Sequence, residues 1–210
     1  MNTILLASLL SLAGTHQSGS TLYRPGISLK DQAISLRSWG SGICSETEED
    51  AFEGSTSIRV TTKNIYDVRM ALELFVVEQL AQRDEPIKEL EDLKQTWTAM
   101  LNDPPQKVEE LAELDTKFHE ILAQALGNGT LSEQLRVINE RLLVFRMSDF
   151  GRPERTEVTC HHHLKILARI EAKDMAGACK AMRENIEDGR NYVSLAIKEV
   201  LAKTYFLKHS

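Results

Sequence analysis

The sequence predicts an all-α protein, an antiparallel bundle of about six helices over residues 63–205 that follows a region of different character over 1–62. Three observations carry this. From residue 63 onward apolar residues recur at the three-and-four spacing of a helix face. Gly, Pro and Asn breakers fall between these periodic runs at short intervals. No segment shows the two-residue alternation of a half-buried strand.

The first helix is expected over about 65–83, with Val68, Leu72, Phe75, Val76 and Leu80 on one side. Glu85-Pro86 opens the second, which continues through Leu90, Leu93 and Trp97 to Leu101 and breaks at Asn102-Asp103-Pro104-Pro105. The third spans about 106–126 and stops at Gly127-Asn128-Gly129, where glycine supplies a left-handed cap. The fourth covers about 131–147 and ends before Gly151-Arg152-Pro153; the fifth covers about 154–172. Asp174 then caps a long sixth helix that continues past Leu201. Short connections between six helices make antiparallel neighbours. Upstream, residues 15–62 are rich in Gly, Ser and Thr without a sustained period, and GSGICSETEEDAFEGST at 40–56 reads as a loop.

Composition narrows the function. The chain has 210 residues, 42% hydrophobic and 27% charged, as in an ordinary globular protein. Its net charge is −6, with four Lys/Arg against six Asp/Glu in residues 1–62 and 21 against 25 in the rest. Neither part carries the basic surplus of a strong nucleic-acid binder. Cys44, Cys160 and Cys179 are odd in number and widely spaced, which points to a reducing compartment rather than a disulfide framework. The start, MNTILLASLLSLAG, has an apolar run but no basic residue before it and no clear cleavage site after it. No apolar run reaches the length of a membrane span. A cytoplasmic location without membrane association is expected.

Four residues able to bind a metal fall where apolar residues belong. Leu111, Leu114, Phe118, Ile121, Leu122 and Ala125 form one stripe; Asp115 lies inside it and His119 at its edge. His163 centres the face made by Ile166, Leu167 and Ile170. Asn185 centres the face made by Ala178, Ala181, Met182, Gly189 and Tyr192. A buried unpaired carboxylate costs several kcal/mol, so a partner or a metal is expected beside it. Asp115 and His119, four apart, reach the same point from one helix. The plainer reading is four separately satisfied core groups, but four arriving together on inward faces favours a common site. His161 and His162 cannot join His163 on one ion, because successive helical residues point about 100° apart. Cys160 and Cys179 read as small core residues. Arg69, Arg141 and Arg146 are candidates to clamp a carboxylate. No phosphate loop, paired-cysteine motif or nucleophile elbow is present.

The ordered set DVRMALE at 67–73, D-x-x-F-H at 115–119, Gly127-Asn128, H-x-x-I-L at 163–167 and A-x-x-x-M-x-x-N at 178–185 resembles a known family. It is similar to the ligand-binding FCD domain of GntR-type bacterial transcription regulators, in the FadR-like branch, over about residues 62–205. The resemblance implies an all-helical domain that dimerises and takes a small organic acid in a central cavity. It also implies a divalent metal, zinc or nickel, held by one Asp and three His. Those positions here are Asp115, His119, His163 and Asn185. An Asn carbonyl is a weaker ligand than imidazole, and His162 stands where the family often has Glu. Upstream, LYRPGISLKDQAI at 22–34 resembles the opening of the family's winged helix-turn-helix. After about Ser35 the likeness stops, and no match to the recognition helix follows. Residues 1–62 therefore read as a partial or degenerate DNA-reading region, and 63–205 as the helical effector domain.

The expectation is a homodimeric transcription regulator, not an enzyme, that senses a small carboxylate beside a bound metal and has DNA as its partner. Two alternatives stay open: a metal-dependent hydrolytic enzyme built on a helical bundle, and a dimerisation module that has lost DNA binding.

Overall fold

The computed structural model describes residues 48–208, with side-chain surroundings for most positions between 62 and 195. Six helices follow in order: α1 (Glu48–Ala81), α2 (Lys88–Asn102), α3 (Val108–Leu126), α4 (Gly129–Phe150), α5 (Pro153–Glu171) and α6 (Met175–Lys208). No strand occurs among the described residues. The winged-helix resemblance at 22–34 lies outside them. Residues 65–193 form one compact unit, while the start of α1 and the end of α6 belong to another.

Local chemistry explains four of the helix ends. Gly127 adopts φ 81 and its N–H bonds Gln124 O, which closes α3 in the left-handed cap expected. Asn128 accepts from Leu131 N at 3.1 Å, so α4 starts two residues earlier than the breakers implied. Pro153 occupies the first turn of α5, where its missing N–H costs nothing. Asp174 Oδ1 accepts from Gly177 N at 2.8 Å and caps α6 as expected. One expectation is corrected. The stretch 48–56, read as loop, is helical and continuous with α1. A helix nucleated in a strongly helical segment extends through weaker formers at little further cost, because nucleation is the expensive step.

In the compact unit α3 packs along α4, α2 against α3 and α5, and α4 against α5. Leu80, Trp97, Phe118, Leu135, Leu142, Ile166, Leu167 and Met182, drawn from all six helices, are fully buried. Each such side chain contributes about 1.5–3 kcal/mol relative to exposure.

The inward face of α1 is not the one its apolar residues suggested. Val68 and Phe75 are 52% and 45% exposed. Tyr66, Arg69, Glu73, Val76, Val77 and Leu80 face the core instead. Arg69 and Glu73 interrupt the buried stripe with charge, so a reading by apolar content placed Val76 and Leu80 correctly but rotated the face toward Val68 and Phe75.

Candidate metal centre

Two helices, α3 and α5, converge on one buried polar cluster. Register sets it on α3, where Leu111, Ala112, Asp115, Phe118, His119, Leu122 and Ala123 are all buried. His119 thus lies well inside the face rather than at its edge. On α5, His163 is completely buried with Ile166 and Leu167 one turn away. The ligand atoms of Asp115, His119 and His163 all lie within 4.8 Å of one another. His163 Nε2 is 3.3 Å and His119 Nε2 3.9 Å from the same oxygen, Asp115 Oδ1. Neither nitrogen meets the geometry of a hydrogen bond.

That arrangement fits a metal ion. Donors around a tetrahedral zinc with bonds of about 2.0–2.2 Å sit about 3.4 Å apart, so a small contraction would bring these three into coordination. Two buried imidazole nitrogens left without partners around one carboxylate oxygen would otherwise be an uncompensated cost. The electrostatics agree. Burial lowers His163 to about 4 and also lowers His119, against the pull of nearby carboxylates, so both rings are neutral at pH 7 and can offer lone pairs. Burial would raise Asp115, but Arg146 foremost, with His163 and His119, holds its carboxyl below the usual range.

Surrounding contacts hold these side chains. His119 Nδ1 donates to Glu73 Oε2, and Glu73 Oε1 accepts from Arg69 Nε at 2.5 Å. An ionised carboxylate only accepts, so Glu73 places the ring proton on Nδ1 and leaves Nε2 free toward Asp115. Burial would raise Glu73, yet Arg69 and His119 lower it to about 2. The Phe118 ring stacks on His163 with centroids 3.6 Å apart, and Trp97 meets that imidazole edge-on at 4.0 Å.

Arg146 Nε lies 2.6 Å from Asp115 Oδ2, the oxygen not aimed at the histidines. Its NH1 donates to Thr116 Oγ1 and its NH2 to Asn139 Oδ1, each at 2.9 Å. Asp115, Arg146, Arg69 and Asn185 line a common cavity of about 20 Å3 together with Tyr66, Asp149 and Arg155. Asn185 is 8% exposed and stands on that wall. Arg155 forks onto Asp149 at 2.8 and 3.0 Å, donates to Asp188 at 2.6 Å, and lies 4.0 Å over the Tyr192 ring.

Of the seven residues singled out from sequence, Asp115, His119, His163, Asn185, Arg69 and Arg146 are buried. Arg141 is the exception, and its expected place beside the pocket is corrected: it is exposed and absent from the cavity wall. The inward stripe of α4 is Leu135, Asn139, Leu142 and Arg146, and Arg141 lies outside its register. His161 is exposed. Burial raises the Cys160 thiol to about 11, which suits an inert core residue. Sequence reasoning missed Glu73, Asp149 and Arg155. The signal for Glu73 was present, since it follows Arg69 by one turn and lies inside the DVRMALE run.

A helical bundle with a buried Asp-His-His cluster defines the class. Comparison with known proteins then makes the assignment. The model of the FCD domain matches residues 64–188. An uncharacterized HTH-type transcriptional regulator of Bacillus subtilis, YdhC, is 23% identical over 163 residues, covering 71% of this chain and 72% of that protein. The gluconate operon transcriptional repressor of the same organism is 28% identical over 156 residues, covering 67% of this chain and 61% of the repressor. The chain belongs to the FCD-domain family of GntR-type transcription regulators, and is a regulator rather than an enzyme. No described helix is long and apolar enough to cross a membrane.

Proposed function

We propose that this regulator holds one divalent metal through Asp115, His119 and His163 and senses a small organic acid in the cavity that Asp115 borders. The observation that carries the reading is the pair of unpartnered nitrogens, His119 Nε2 and His163 Nε2, facing Asp115 Oδ1. Asn185 contributes a neutral oxygen from α6, a weaker ligand than the imidazole of its family. With three strong donors, coordination positions remain for water or an effector oxygen. Zinc and nickel both suit two imidazoles and a carboxylate.

Arg69 and Arg146 are the groups that favour an anion near the metal. Arg69 NH2 is buried without a hydrogen-bond partner. In the full regulator we place the effector domain over 63–205 and a DNA-reading remnant over 1–62, with a homodimer working in the cytoplasm. An effector that binds one arrangement of the domain better than another shifts the population, which is how binding reaches DNA.

Elemental analysis of the native full chain, with Asp115→Ala and His163→Ala beside it, tests the metal. About one metal per chain, lost in both folded variants, supports the site; a folded, metal-free wild type rejects it. Titration of a labelled upstream promoter fragment tests DNA binding, with specific, salt-sensitive association as the expected result.

A further inference from the structure

The cavity beside Asp115 measures about 20 Å3. One water needs about 10–15 Å3. An organic acid does not enter while the present side chains stay in place. Each arginine on the cavity wall is matched by a carboxylate: Arg69 by Glu73 behind the wall, Arg146 by Asp115, and Arg155 by Asp149.

The three pairs differ. Glu73 also accepts from His119, and Asp115 also faces both candidate ligand histidines. Asp149 instead lays both oxygens into the Nε and NH2 fork of Arg155, at 2.8 and 3.0 Å. That two-point fork is the geometry by which arginine recognises a free carboxylate. Arg155 would keep its place without Asp149, because NH1 remains bound to Asp188 and the guanidinium stays over Tyr192. Asp149 is also the penultimate residue of α4, where the negative end of the helix dipole disfavours a carboxylate. Burial pushes its carboxyl up to about 6 in spite of Arg155. The guanidinium is firmly held and its acidic partner is the less comfortable member.

We infer that Asp149 is an internal stand-in for the effector, seated on Arg155, and that a small organic anion enters by displacing it. The inference rests on reading this cavity as the effector pocket. An incoming monocarboxylate and a departing Asp149 carboxylate leave the net charge of the cavity unchanged. The exchange also opens the volume that the closed cavity lacks. Asp149 then sets the affinity threshold: the free anion must outcompete a tethered one.

Acetate is the fitting probe, since it has the shape of the Asp149 side chain cut free. Calorimetric titration of the full chain at constant ionic strength, with chloride as the control anion, compares wild type with Asp149→Ala. At least tenfold tighter acetate binding by the variant is expected, abolished when Arg155→Lys is added. Equal affinity in the two proteins, or no binding by a folded Asp149→Ala, overturns the inference. Should Asp149→Ala fail to fold, Asp149→Asn keeps the shape and removes the charge; acetate affinity there no better than wild type is equally fatal. Metal content is measured on the same samples. A metal-free protein that still shows the tenfold gain separates failure of the metal reading from failure of this one.

Discussion

Glu73 on α1 and His119 on α3 are joined by a buried hydrogen bond from His119 Nδ1 to Glu73 Oε2. Through it a helix that supplies no candidate ligand determines which ring nitrogen of the imidazole is available. Outer partners of this kind typically carry 10–100-fold of metal affinity. Glu73→Gln is therefore expected to lower metal affinity in that range while preserving the fold, read by competition with a chromophoric chelator. Unchanged affinity would show that the ring is oriented by packing alone.

The stack of Phe118 on His163 invites a similar test. Phe118→Ala removes a fully buried ring and is expected to cost ~3–5 kcal/mol, measured by urea unfolding. Phe118→Leu retains most of the volume and should cost far less, while freeing the His163 ring to rotate. Metal affinity in the Leu variant is expected to fall. If it matches wild type, the stack serves stability only.

Asn185 stands where the resemblance implies a histidine, and restoring one makes a prediction of opposite sign. Asn185→His places an imidazole on the cavity wall shared with Asp115. At least tenfold tighter zinc binding is expected, because imidazole nitrogen outbids a neutral amide oxygen. No gain would mean that position 185 lies beyond reach of the ion.

Asp149 gives a pH prediction. Its folded value of about 6 stands above the ordinary aspartate value of 3.8, so the folded state holds the proton more tightly. The associated stability is fully present below the unfolded value and is lost as pH rises through about 6. Asp149→Asn carries no such dependence. Between pH 4 and pH 7.5 the stability difference should move in favour of the variant, by about 2 kcal/mol. Chemical denaturation at several pH values measures it, and a constant difference rejects the raised value.

Gly127 offers a local check on the fold. Its φ of 81 lies in the left-handed region, and nothing lies within 4 Å of where a Cβ would stand. Gly127→Ala should therefore cost only the backbone term, ~1–2 kcal/mol. A larger loss would mean that the α3–α4 connection tolerates less than its open surroundings imply.

Helix positions along 65–193 were legible because helical periodicity, Gly and Asn caps and Pro breakers are local signals. So were Asp115, His119, His163 and Asn185: a polar group in an apolar stripe shows on one helix without knowledge of the others. Two things were not legible. Arg69 and Glu73 replaced apolar residues in the buried stripe of α1, so counting apolar residues picked Val68 and Phe75, which the structure exposes. Arg141 and Arg146 look alike in sequence, and only the packing of α4 against α3 and α5 buries one and leaves the other in solvent.

The sequence by itself placed Asp115, His119, His163 and Asn185 on inward helix faces, and hence a buried polar cluster. Tertiary structure decided their partners: Glu73 with His119, Arg146 with Asp115, Asp149 with Arg155. The reason is physical. A helix face follows from spacing along one chain segment, whereas Asp115 is matched by Arg146 on another helix and His119 by Glu73, 46 positions away. No periodicity carries that information; it exists once the helices pack.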